Sequence, residues 1–142
     1  ISVRNSNECA YNIIMSTEII GISHLEREII ANVVRYNIRD FDYNMVRMEA
    51  GPELSSGSLP DQSDATILTA KLTAMLRLAN SMDRSHGQKL KDCRITVKDK
   101  TLTVSAEYSG DITLEAVSFE QKAAFFEEIF GIRPVLRHKK YV

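Results

Sequence analysis

The side chains best suited to chemistry lie together at the end of one long apolar stretch, residues 64–86. They are Asn80, Asp83, Arg84, Ser85 and His86. Asn80 and Asp83 are three residues apart, so on a helix they share a face, an arrangement typical of a metal or phosphate site. The alternative is an ordinary polar helix end, in which Asp83 pairs with Arg84 or Arg77. Spacing alone leaves both interpretations open.

Histidines and cysteines add no second reactive motif. The three histidines are His24, His86 and His138, and no two of them have the spacing of a metal-binding helix. The sequence also lacks a phosphate-binding glycine loop and the residue order of a serine hydrolase. We interpret His24 as a surface residue beside a helix cap. Cys9 and Cys93 are too few for a disulfide framework, so we expect buried, reduced thiols.

Arginines provide the second set of candidate site residues. They are Arg35, Arg39, Arg77, Arg84, Arg133 and Arg137. A guanidinium group matches the oxygen geometry of phosphate, so this set predicts an anion-binding track whose affinity falls steeply with salt. A charged face that meets only solvent is the alternative.

Composition is that of a globular domain. The chain has 142 residues, of which 44% are hydrophobic and 26% charged, and its net charge is −1. This balance gives no overall attraction to nucleic acid or to anionic membranes. No apolar run reaches the ~18 residues of a membrane span and no signal peptide is visible, so we expect a cytoplasmic protein. Because the chain begins at Ile1, almost directly in a helical pattern, we expect it to be part of a longer protein.

Helical periodicity predicts two helices that pack as a hairpin. The first covers residues 6–20 and ends at Gly21. Its expected apolar face is Cys9, Tyr11 or Ala10, Ile13, Ile14, Thr17 and Ile20. The second begins at the capping box Ser23-x-x-Glu26, where each residue can satisfy the backbone N–H of the other. The turn between them has about three residues, which predicts antiparallel packing.

A loop and a long helix follow. Residues 38–63 are rich in glycine, proline and serine, so they predict a loop with a short helix or turn at most over residues 41–48. Helical spacing returns over residues 64–86, and we expect this helix to be central to the core. Its expected buried face contains Ile67, Leu68, Ala70, Lys71, Ala74, Met75, Leu78, Ala79 and Met82.

The last third of the chain alternates with period two. This pattern predicts strands over 93–98, 102–108 and 112–116. A capping box at Ser118 and Gln121 predicts the next helix. Residues 132–138 form the last strand, which Pro134 places at a sheet edge.

These elements together predict an α+β fold. Its first part is a helical domain over residues 1–88 and its second a β-β-β-α-β subdomain over residues 89–142.

Three stretches resemble one known family. They are the hairpin with IIGISHLEREIIANVVRYN, the helix with LTAKLTAMLRLANSMDRSH, and the small α+β tail. Together they are similar to the C-terminal region of the exopolyphosphatase/guanosine pentaphosphate phosphohydrolase family, over nearly the whole chain. The resemblance implies a helical domain like that of HD phosphohydrolases, and actin-like catalytic domains with Mg²⁺ upstream of Ile1.

The resemblance also implies that the metal position of an HD domain is degenerate here. The His-Asp pair of such a domain would precede Ile1. Its late aspartate falls at Asn80, with Asp83 three residues on, and Asn37 stands where relatives often have histidine. An amide does not supply the anionic ligand that a hard cation requires. We therefore expect no metal, cofactor or catalytic residue in this chain.

The resemblance therefore implies an accessory domain of an exopolyphosphatase-type hydrolase, inactive alone. We expect it to extend the binding of polyphosphate or guanosine pentaphosphate through the six arginines and to support a homodimer, with neither membrane nor nucleic acid as a partner. Two alternatives stay open. One is an active, metal-dependent HD-type phosphohydrolase. The other is a pure dimerisation module, with Phe125 and Phe126 or the hairpin face as contacts.

Overall fold

A computed structural model describes residues 6–43 and 62–140. These residues form four helices and three strands: α1 (Ser6–Ser16), α2 (His24–Tyr36), α3 (Gln62–Met82), β1 (Leu90–Lys98), β2 (Thr101–Tyr108), α4 (Thr113–Phe130) and β3 (Arg133–Lys140). The fold is mixed α+β, as predicted. The chain forms two compact units, residues 1–73 and 74–142. This division falls within α3. The domain boundary predicted after residue 88 stays a prediction.

The predicted capping box begins α2. The backbone N–H of Glu26 donates to Ser23 Oγ at 3.2 Å, and the N–H of Ser23 donates to Glu26 Oε2 at 2.8 Å. The two bonds satisfy backbone donors that a helix start otherwise leaves free.

Helices α1 and α2 pack as the predicted antiparallel hairpin. Near the start of α1, Asn7 Nδ2 donates to the carbonyl of Arg35 at the end of α2, at 3.3 Å. Beyond the other end of α1, the carbonyl of Thr17 accepts from Arg27 Nη1 at 2.8 Å. The two ends of the hairpin are therefore tied by polar contacts.

The predicted apolar face of α1 is wrong. This helix buries no residue, and Ile13 is 64% exposed. It also ends at Ser16 rather than at residue 20, because the hydroxyls of Ser16 and Thr17 both donate to the Ile13 carbonyl and replace its helical partner. The core of this unit instead contains Ile29, Tyr36 and Ala65, with Leu25, Val33 and Phe41 packed against it.

The first part of α3 buries small and hydroxyl side chains. Thr69 and Thr73 are fully buried, and each hydroxyl donates to the carbonyl four residues before it, at 2.8 and 2.7 Å. Ile67 and Leu68, which were predicted to be buried, are 49% and 45% exposed. A threonine whose hydroxyl is satisfied by its own helix presents mainly its methyl group, so it can occupy a buried position. Most of residues 38–63 lie outside the described residues, as does most of the helix or turn predicted over 41–48.

Strands β1, β2 and β3 form one sheet in that order. Strands β1 and β2 are antiparallel and joined at Asp99 and Lys100, both with positive φ (49° and 58°), which confirms the predicted tight turn. Strands β2 and β3 are parallel, so α4 is the crossover between them. Strand β3 lies at the sheet edge, where Pro134 was expected.

The predicted third strand over residues 112–116 is wrong, because these residues begin α4. Asp111 Oδ1 accepts from both the backbone N–H and the hydroxyl of Thr113, and the N–H of Ala116 bonds the Ile112 carbonyl. Ser118 is buried within α4 and is therefore no helix cap. The β-β-β-α-β subdomain is in fact β-β-α-β.

The core of the second unit is formed by the end of α3, by α4 and by one face of the sheet. Its buried members are Ala74, Leu78, Val104, Phe119 and Phe126, and Leu102, Phe125 and Leu136 are among the residues packed against them. Gly131, at a φ of 65°, ends α4 in the left-handed conformation. No helix of the described residues is long and apolar enough to span a membrane.

Candidate anion-binding residues and a buried carboxylate

Arg35 and Arg39 share one carboxylate of their own unit. Arg35 Nε donates to Glu8 Oε1 at 2.8 Å, and Arg39 Nη1 contacts the same oxygen. The Arg35 guanidinium also lies 4.9 Å from the centre of the Tyr11 ring. Both charges are thus partly compensated within the hairpin, which weakens their attraction for phosphate.

Arg77 and Arg133 are also engaged. Arg77 is only 8% exposed, and its guanidinium lies 4.6 Å from the centre of the Phe125 ring, in cation–π geometry. Arg133 Nη1 donates to Glu127 at 2.9 Å, and its other terminal nitrogen contacts Glu120. Arg77 therefore acts in packing, while Arg133 fastens the start of β3 to α4.

Arg84 and Arg137 are the two predicted residues of the second unit that are exposed. Arg133 and Arg137 are four residues apart on β3, so they belong to the same face of the sheet. The six arginines are divided between the two units, with Arg35 and Arg39 in the first. Within the first unit Arg35 and Arg39 meet at Glu8, and within the second Arg133 and Arg137 share one face of the sheet.

The degenerate metal position forms part of a polar turn. Asn80 is exposed, and Asp83 Oδ1 accepts from the backbone N–H of Gln88 at 2.8 Å. Helix α3 ends at Met82, before the predicted end at residue 86, and the N–H of His86 bonds the Asp83 carbonyl. Within residues 6–43 and 62–140, no three metal-ligating side chains form a group that could hold a metal ion.

An open cleft of about 390 Å³ lies beside this turn. It is lined by Met82, Asp83, Gln88, Leu90, Lys91 and Cys93. Both Cys9 and Cys93 are free but exposed, so the expected burial of the thiols is wrong. Partial shielding from water, with a smaller effect from Asp92, raises the pKa of Cys93. Its thiol is therefore protonated at neutral pH and a poor nucleophile.

The most deeply buried charged group near the turn is Glu115, in the first turn of α4. Its side chain is 1% exposed. The Ser85 backbone N–H donates to Glu115 Oε1 at 3.0 Å, and the Ser85 hydroxyl donates to the same oxygen. Lys89 Nζ lies 3.7 Å from Oε2 and donates to the Asp111 carbonyl at 2.6 Å. Glu115 thus fastens residues 85–89 to the beginning of α4.

Sequence reasoning missed Glu115 because it placed residues 112–116 in a strand. The available signal was a carboxylate in the first turn of a helix, where the positive end of the helix dipole favours it. The hydrogen bond from the Ser85 hydroxyl lowers the pKa of Glu115, against the opposing effect of burial. The carboxylate therefore stays ionised at neutral pH. Its contacts are those of a structural anchor.

No protein-family model and no curated protein matches this chain.

Proposed function

We propose that this chain is the C-terminal accessory region of an exopolyphosphatase-type hydrolase and that it extends the binding surface for polyphosphate. The observation that carries the proposal is the basic end of β3, where Arg137 and Lys139 are exposed on the same face of the sheet. The resemblance of the α1–α2 hairpin and of α3 to that family is the second support. The catalytic chemistry and its Mg²⁺ belong, under this proposal, to domains upstream.

A titration of the whole chain with medium-length polyphosphate tests the proposal. We expect binding at about 50 mM salt that weakens at least tenfold at about 200 mM, because each arginine–phosphate contact releases bound counterions. Isothermal titration calorimetry measures both affinities. Orthophosphate at the same phosphorus concentration is the control and should bind far more weakly. The proposal fails if polyphosphate does not bind at the lower salt.

We also propose that the chain forms a homodimer, because α3 exposes large apolar side chains. Ile67, Leu68 and Leu72 are 49%, 45% and 36% exposed on this helix. Of the contacts expected from the sequence, Phe126 is buried in the core and Phe125 packs against it, whereas the hairpin face stays a candidate. Clustered exposed apolar residues are typical of protein interfaces.

A Leu68→Glu variant should be monomeric at concentrations where the natural chain is dimeric, because the carboxylate would be desolvated in the interface. Sedimentation velocity over a concentration series measures the mass. Val117→Glu, at a 53% exposed position on α4, is the matched control and should leave the dimer intact. A natural chain that stays monomeric throughout the series would refute this proposal.

A further inference from the structure

The two faces of the sheet differ in their side chains, since one is apolar and packs in the core and the other is mostly basic and hydroxylated. Leu102, Val104 and Leu136 point into the core beneath α4. The alternate residues point to the opposite side, which we call the open face. Across β1, β2 and β3 the open face consists of Lys91, Arg94, Thr96, Lys98, Thr101, Thr103, Ser105, Glu107, Arg133, Val135, Arg137 and Lys139.

Strand register places two arginines on either side of one serine. Arg94 on β1 pairs with Ser105 on β2, which pairs with Arg137 on β3. Neighbouring strands are about 4.8 Å apart, so the two arginine backbones are separated by about 10 Å. All three residues are exposed. Within the described part of the chain neither arginine forms an ion pair.

Further cations extend this row along the strands. Lys98 and Lys139 are exposed on the same face, and strand register places Glu107, the one acidic side chain among these residues, between Lys91 and Lys139. Arg133 shares the face but is held by two glutamates of α4. In a chain of net charge −1 the open face thus concentrates positive charge. Asp92 and Asp99 lie only at its margins, in the β-bulge and the turn.

The uncharged side chains of the open face indicate which kind of polyanion it binds. They are Thr96, Thr101, Thr103, Ser105 and Val135, and none is aromatic. Hydroxyl groups can donate to phosphate oxygens. Proteins that hold single-stranded nucleic acid rely on aromatic side chains that stack on the bases, and the described residues of this face include none. Its chemistry fits a chain of phosphates without bases.

We propose that linear polyphosphate binds across the open face, where Arg94 and Arg137 donate hydrogen bonds to phosphates on the two sides of Ser105. This inference rests on the proposed function and assigns its binding surface to β1 as well as β3. Guanidinium groups donate paired hydrogen bonds to phosphate oxygens, and the serine and threonine hydroxyls between them supply further donors. Because side chains alternate along β1, Arg94 and Lys98 lie on the open face and Ile95 and Val97 lie on the other face.

The test is a polyphosphate titration of the whole chain carrying Arg94→Gln and Arg137→Gln together. We expect the affinity at low salt to fall at least tenfold. The slope of log K against log salt should become less negative by about 1.4, at about 0.7 for each lost contact with a single strand. The matched control, Lys71→Gln with Lys122→Gln on α3 and α4, removes the same charge elsewhere and should change affinity less than twofold.

Each outcome has a distinct meaning. If the natural chain binds no polyphosphate, the proposed function fails. If the natural chain binds and the double variant binds equally well, the open face is refuted as the site while the proposed function stands. A competition with a single-stranded oligonucleotide of equal charge completes the test. Polyphosphate should displace the oligonucleotide, and the reverse order of affinity would overturn the choice of ligand.

Discussion

A Phe119→Ala variant should lose about 3–5 kcal/mol of unfolding free energy, the usual cost of removing a buried phenyl ring. Phe119 is 1% exposed and belongs to the core cluster that also contains Val104 and Phe126. Alanine would leave a cavity between α4 and the sheet, because the β-α-β connection limits how far the helix can move inward. Urea unfolding followed by far-ultraviolet circular dichroism measures the loss.

Leu114→Ala is the matched control for this prediction. Leu114 lies on the same helix but is 53% exposed, so its removal should cost well under the loss at Phe119. Equal losses at the two positions would contradict the described core. An unchanged stability of Phe119→Ala would do the same.

Replacing Glu115 by alanine should cost about 1.5–3 kcal/mol, the range for hydrogen bonds to a charged group, because both Ser85 donors lose their acceptor and Lys89 loses its nearby charge. The side chain of Glu115 is 1% exposed, and its Oε1 accepts both bonds from Ser85. Glu120→Ala removes an exposed carboxylate from the same helix and should cost much less. Urea unfolding of both variants gives the comparison.

The pH dependence of this contribution has a definite sign. The Ser85 hydroxyl lowers the pKa of Glu115 below its ordinary value of 4.5. A lowered folded-state pKa stabilises the fold above pH 4.5, and this stabilisation is lost as the pH falls through the folded-state pKa. A Glu115→Gln variant cannot titrate here, so its stability should fall less on acidification than that of the natural chain. If the unfolding free energies of the variant and the natural chain fall equally on acidification, Glu115 makes no such contribution.

Local sequence signals predicted the features that depend on a few neighbouring residues. The capping box of Ser23 and Glu26, the turn at Asp99 and Lys100, and the end of α4 at Gly131 all occur in the structure. Each depends on a side-chain bond or on a backbone conformation that its own residues favour. No distant contact is needed to form them.

Short apolar patterns were ambiguous where two periods coincide. Residues 112–116 alternate as a strand would, yet Ile112 and Ala116 are also one helical turn apart. The bonds of Thr113 to Asp111 favour a helix start, and the Glu115 anchor to Ser85 holds it. Ser85 is 30 residues from Glu115, so no local window of sequence contains this contact.

The sequence by itself determined the α+β content, the capped hairpin and the alternation of β1 and β2, because these follow from periodicity and local hydrogen bonds. Only the tertiary structure decided which charges are used internally and which face of the sheet is open. Arg77 and Arg133 are engaged by residues of α4, whereas Arg94 and Arg137 lie in one row through strand register. The physical reason is that charge availability depends on what surrounds a side chain, and those neighbours come from distant parts of the chain.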